Sequence, residues 1–246
     1  MSAGPRQWRA TLRSHRRAVV AVVAGVVLLG LLISAVLGRP EAWPAGQGPV
    51  WSTSGRPTAV VIGDSQAHGA GEARLRETWV TQGLAGAGYE PVVLGEAGTG
   101  FVNSSGRAPS YLEGLQQGEY TLPAADVSLV VVEGGGNDAD YPDERLLQAA
   151  HASLALVKDH YHGADVVMIG PLDTGDDPRR VHLNELLARV AQQHDVLFLH
   201  AGRWGRQYQL EGLFHEDGIH LTEAGHERLT QPFTRELDTL GLTHPE

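Results

Sequence analysis

Val60-Val61-Ile62-Gly63-Asp64-Ser65 is the stretch on which the reading of this chain turns. Its front half is a short β-branched run between Pro57 and Gly63, the pattern of a fully buried strand. The character then changes to Gly-Asp-Ser-Gln-Ala-His-Gly, with a helix-compatible stretch from about Glu72. A strand that stops at a glycine turn and runs into a helix puts the turn residues at the carboxyl end of a parallel sheet, where open α/β folds bind ligands. A serine at that junction also faces unpaired N–H groups and the positive end of the helix dipole. On its own, the Gly63-Asp64-Ser65 tripeptide favours Asp64 or Ser65 as only a helix cap, and it is the rest of the chain that reverses this.

Working outward, strands are expected at 58–62, 91–94, 127–133, 165–169 and 196–199. Helices are expected at 73–87, 142–161, 178–193 and 222–240. Five buried strands separated by helical segments imply an α/β fold, a parallel sheet covered by helices on both faces.

Ahead of this domain, Arg6, Arg9, Arg13, Arg16 and Arg17 precede an uncharged apolar run over 18–37. Twenty helical residues span about 30 Å, the thickness of a bilayer core. The run exceeds the apolar core of a cleaved signal, and Trp43-Pro44-Ala45 is a poor cleavage site. The division expected is a cytoplasmic basic tail at 1–17, one N-terminal transmembrane signal anchor at 18–38, a linker at 39–56 and a domain at 57–246 outside the membrane. Of the 19 basic residues, five precede residue 39, leaving 14 against 29 acidic ones in the outer part. Such a surface repels nucleic acid. Cysteine is absent, so disulfides, thiolate nucleophiles and thiolate metal sites are excluded.

The polar groups that carry chemistry follow the strands. After the third comes Gly134-Gly135-Gly136-Asn137-Asp138, where Asn137 offers an amide N–H or serves as a turn residue. After the second comes Gly95-Glu96-Ala97-Gly98-Thr99-Gly100, which lacks the lysine of a phosphate-binding loop and reads as a loop presenting a bare backbone N–H. Near the C-terminus, Asp217-Gly218-Ile219-His220 lies before a helix capped by Thr222. That spacing lets the Asp217 carboxylate hold one ring nitrogen of His220 while the other faces outward, as a base must to activate a serine. The other histidines are scattered and no HExxH is present, so no metal and no cofactor are expected. His68 and His215, near these blocks, read as solvated.

Taken together, Gly63-Asp64-Ser65, Gly135-Gly136-Asn137-Asp138 and Asp217-Gly218-Ile219-His220 resemble the SGNH-hydrolase superfamily, the GDSL-type esterases and lipases. The resemblance runs from residue 58 to about 240. It implies a three-layer α/β/α sandwich of flavodoxin-like form. It also implies Ser65 as nucleophile, His220 as general base and then acid, and Asp217 as the group orienting His220. The oxyanion hole would be the Ser65 N–H, the Asn137 side chain and a glycine N–H, either Gly98 or Gly100. Gly98 is the choice here, because Gly95-Glu96-Ala97-Gly98 best mimics the family's second block. Gln66 stands where the family often carries Leu, a difference expected to bear on packing.

The activity implied is hydrolysis of a carboxylic ester of a small molecule, glycan or lipid, by a monomeric domain. Acyl transfer to a cell-wall or surface glycan is an alternative, and a non-catalytic glycan-binding or scaffold domain is another. The loops at 170–178 and 201–216 are expected to wall the pocket.

Overall fold

The structure is a computed structural model that describes residues 55–70, 74–173 and 177–244. The expected tail, anchor and most of the linker lie outside the described residues. Among the described residues, no helix is long and apolar enough to cross a membrane.

The five strands are β1 (Thr58–Ile62), β2 (Glu90–Val93), β3 (Val127–Glu133), β4 (Asp165–Ile169) and β5 (Leu197–Leu199). They form one sheet in the order β2-β1-β3-β4-β5, and every pairing is parallel. Among the described residues, seven helices follow in chain order: α1 (Ser65–His68), α2 (Trp79–Gly86), α3 (Tyr111–Gln117), α4 (Asp143–His160), α5 (Pro178–Gln193), α6 (Trp204–Gln207) and α7 (Glu223–Thr239).

Alternate strand residues feed two cores, as the period-2 geometry of a strand requires. Val60, Ile62, Val130 and Val132 pack with Tyr111 of α3, Leu146 and Leu154 of α4, and Leu183 and Leu187 of α5. Ala59, Val61, Leu129 and Val131 pack with Trp79 and Leu84 of α2 and with Leu229 and Phe233 of α7. Both faces of the sheet are therefore covered, which explains why the central strands β1 and β3 are near-continuous apolar runs. The result is the three-layer α/β/α sandwich expected.

The helix expected at 73–87 is shorter. Thr78 caps it by accepting the Thr81 N–H, so α2 begins at Trp79, with a 3₁₀ turn at Leu75–Glu77 before it. Helix α3 was not anticipated. Ser110 and Glu113 start it with a reciprocal capping box, and Gly118 in the left-handed region ends it. The 201–216 segment is also more ordered than a plain loop, holding the 3₁₀ turn Ala201–Arg203 and α6.

The chain leaves β1 toward β2 on one side and then returns to β3 on the other. The crevice between β1 and β3 is thus a topological switch point, the place where such sheets receive ligands.

Candidate active site

Ser65 is the first residue of α1, immediately beyond β1 at this crevice. Asp64 caps the short helix, its carboxylate accepting the Gln66 N–H at 2.9 Å. The turn can be this tight because of a close backbone crossing. A Cβ on Gly95 would come within 1.6 Å of the Gly63 carbonyl oxygen, so the chain leaving β2 passes directly over the Ser65 turn only as glycine.

Residues 213–222 bring the histidine to the same place. The segment folds back on itself through an antiparallel bridge between Phe214 and Leu221 and a hydrogen bond from the His215 N–H to the His220 carbonyl. At its tip Asp217 accepts the N–H groups of Ile219 and His220 at 2.8 and 3.0 Å and holds His220 Nδ1 at 2.7 Å. These hydrogen bonds keep the Asp217 carboxyl well below the usual range, led by the His220 N–H. An ionised carboxylate accepts, so Nδ1 carries the proton and Nε2 is left with a lone pair. That lone pair lies 3.0 Å from Ser65 Oγ. The structure brings Ser65, His220 and Asp217 into one hydrogen-bonded line.

Asn137 sits on a 3₁₀ turn after β3. Its Nδ2 donates to the Thr99 carbonyl at 2.9 Å and to Asp64 Oδ2 at 3.2 Å. Two acceptors fix which end of the amide is nitrogen, and they engage both of its protons. Donation to a substrate oxygen therefore requires one bond to be shared, and the longer one to Asp64 yields at lower cost. The glycine choice gains a structural argument. The Gly100 N–H is committed to the Asn103 carbonyl at 2.8 Å. Gly98 has φ of +83°, and a Cβ there would meet nothing closer than Ser105 at 3.7 Å.

Sequence reasoning missed Asp138. Fully buried, it accepts the N–H groups of Phe101, Val102 and Asn103 at 2.8, 3.0 and 2.8 Å, and so ties the Gly98 loop to the Asn137 turn. Burial raises its carboxyl against the pull of those three donors. A Cβ on Gly100 would lie 2.5 Å from this carboxylate, which accounts for the glycine there. Arg179 was missed too. Its guanidinium donates to the Ala139 and Tyr141 carbonyls and to Asp143, bracing the segment after Asn137. Of these two only Asp138 left a signal, as the last residue of the Gly-Asn-Asp block.

Beneath the turn lie two buried acids. Glu133, at the end of β3, accepts the Asp64 N–H at 3.4 Å. Burial pushes the Glu133 carboxyl well above the usual range and Asp64 up to about 6, with the Arg180 guanidinium opposing both. Of the two histidines near the blocks, His68 faces Glu96 at 3.6 Å, and both it and His215 are half-buried rather than fully solvated.

A three-layer α/β sandwich with a Ser–His–Asp line at the switch point of its sheet has the form of an SGNH-type hydrolase. Residues 61–228, more than half of the chain, match the GDSL-like Lipase/Acylhydrolase family, and the chain belongs to that family.

Solved structures share the fold at low sequence identity. An aryl esterase from M. smegmatis is 17% identical, with a TM-score of 0.54 over 75% of this chain and 99% of that one. The salicylyl-acyltransferase SsfX3 from a tetracycline biosynthetic pathway is 19% identical, with a TM-score of 0.57 over 78% of this chain and 56% of that one. A family two carbohydrate esterase from Clostridium thermocellum, in complex with cellohexaose, is 19% identical, with a TM-score of 0.55 over 76% of this chain and 65% of that one. No curated protein matches the sequence.

Proposed function

We propose that this chain is a serine esterase that cleaves a carboxylic ester, acyl or acetyl, through an acyl-enzyme. One observation carries the reading: His220 bridges Ser65 and Asp217 at 3.0 and 2.7 Å. Ser65 Oγ attacks the ester carbonyl carbon while its proton passes to His220 Nε2. The tetrahedral oxyanion receives the Ser65 N–H, the Gly98 N–H and the Asn137 amide. Collapse breaks the bond to the alcohol oxygen, and the alcohol leaves with the proton from His220. Water then gives a proton to His220 and attacks the acyl carbon. The bond to Ser65 breaks, the proton returns to Oγ, and the carboxylic acid departs. Asp217 keeps the ring in the required tautomer and offsets the imidazolium charge.

Treatment of the purified protein with a fluorophosphonate tests this reading. Covalent addition at Ser65 is the expected result, and an unlabelled, folded protein would favour the scaffold alternative. A glycan hydroxyl in place of water would turn the same machinery into an acyltransferase. The side chains of Asp217 and His220 are 45% and 31% exposed, which leaves an acceptor a route to the acyl group. Products formed with and without an acceptor sugar decide between the two.

The five arginines before the apolar run at 18–37 support a domain tethered outside the membrane by an uncleaved helix. Protease added to intact protoplasts should remove the domain, and protection would overturn that topology.

A further inference from the structure

Beyond the Ser–His–Asp line, Gln66 stands next to Ser65 in the chain. Gln66 is 5% exposed, so its carboxamide does not face solvent. Its Nε2 donates to the Ile219 carbonyl at 3.0 Å, and its Oε1 accepts from the Trp79 indole N–H at 3.4 Å. Trp79 is fully buried and locked edge-on against Trp204 and Phe233, with ring centroids 5.5 and 5.0 Å away. The backbone N–H of Trp79 is also fixed, on His226 Nδ1 at 3.2 Å. The indole therefore decides which end of the Gln66 amide is the acceptor and aims the N–H2 at the histidine segment.

The Ile219 carbonyl belongs to the peptide that precedes His220. Holding it sets the plane from which the imidazole projects. The segment needs such a hold because its tip is open to solvent, with Ile219 and Asp217 both exposed. Asp217 holds His220 from within the same tip, so that bond cannot fix the tip against Ser65. Gln66 can, because it is one residue from Ser65 on the same rigid turn.

We propose that Gln66 is a positioning residue, a carboxamide strap that links the buried Trp79 to the Ile219 carbonyl and so holds His220 at transfer distance from Ser65. This corrects the expectation that the change from the family's frequent Leu concerns packing alone. A Leu side chain could neither donate to Ile219 nor accept from Trp79. The inference rests on the serine-hydrolase reading, since it concerns the geometry of Ser65 activation.

The test compares the full chain with Gln66→Met, which keeps the length without the polar groups, and Gln66→Glu, which keeps the acceptor for Trp79. The readouts are the fluorophosphonate labelling rate at Ser65 and kcat and KM on an aryl ester. Misplacement of reacting groups by about 1 Å costs on the order of 100-fold. Gln66→Met should label and turn over about 10- to 100-fold more slowly, with KM changed less than twofold. In Gln66→Glu a protonated carboxyl can still donate to Ile219 and an ionised one cannot. Its rate relative to wild type should therefore fall as pH rises, a dependence that loss of packing does not produce. This second variant decides the matter if Gln66→Met fails to fold. Labelling within twofold of wild type in Gln66→Met, or a pH-independent ratio in Gln66→Glu, overturns the strap. Absence of labelling in the wild type would instead overturn the hydrolase reading, so the two failures are distinguishable.

Discussion

His220 Nε2 lies 3.0 Å from Ser65 Oγ, although 155 positions separate the two residues in the chain. That contact exists because β1 ends at the switch point and the 213–222 segment folds over it. The first prediction follows directly. Ser65→Ala should abolish ester turnover and phosphonate labelling while leaving the domain folded. The hydroxyl's hydrogen bond to His220 is worth only about 1 kcal/mol net. Turnover assays and thermal melts on the same preparation check both halves. Substantial hydrolysis by a folded Ser65→Ala protein would mean that the nucleophile lies elsewhere.

Asn137 separates two roles that the structure superimposes. As a structural residue it ties Thr99 to Asp64. As an oxyanion donor it would act on charge that develops during attack. Asn137→Ala should lower kcat by about 10²–10³, with little change in KM, if the second role operates. Asn137→Asp is less clean here, because it sets a new carboxylate against Asp64 and the Thr99 carbonyl and so disturbs the fold as well. A reduced unfolding free energy with normal kcat in Asn137→Ala would leave only the structural role.

Asp138 offers a third test. Its two oxygens take three backbone N–H groups, with Phe101 on one side and Val102 and Asn103 on the other. In Asp138→Asn one side must face an N–H2, leaving at least one buried donor without an acceptor. Lost charge-assisted bonds of this kind cost about 1.5–3 kcal/mol. A lower urea midpoint is expected, together with slower turnover as the Gly98 loop loses its anchor. An unchanged midpoint would show that the carboxylate is dispensable.

These residues also mark how much could be read in advance. The β-branched runs ending in glycine gave away the sheet, because full burial on both faces leaves a continuous apolar signature. Asp217 and His220 were readable as a pair because a three-residue separation closes within one turn. Helix α3 went unnoticed although Ser110 and Glu113 carry its start, since its glycine at 114 and short length blur the helical period. Gln66, Asp138 and Arg179 act through bonds spanning 153, 35 to 37, and 36 to 40 positions. No local pattern encodes such partners; only the packed sheet brings them together.

The last prediction concerns pH and the buried titrating groups around the Ser65 turn. Burial raises Asp64 to about 6 and Glu133 well above its usual range, whereas it lowers His226 to about 4, with His215 and His220 adding to that effect. The acids keep protons in the folded state that the unfolded chain has released above about pH 4. Their contribution to stability is therefore complete below that pH, and it is lost as pH rises, through about 6 for Asp64 and later for Glu133. His226 does the reverse. It stays neutral where the unfolded chain takes up a proton, so its contribution is complete above about 6.5 and is lost as pH falls through about 4. For Asp64 and His226 the shifts correspond to about 3 kcal/mol each, with opposite slopes. Between about pH 4 and 6 the Asp64 and His226 slopes oppose each other and Glu133 tips the balance, so wild-type stability should fall as pH rises, and each variant removes one of these slopes. His226→Asn keeps an acceptor for the Trp79 N–H, and its stability relative to wild type should be best at the acidic end. Glu133→Gln mimics the protonated acid and should gain on wild type as pH rises toward 8. Urea denaturation of the three proteins from pH 4 to 8 measures both slopes. Three parallel curves would mean that neither Glu133 nor His226 changes its proton affinity on folding.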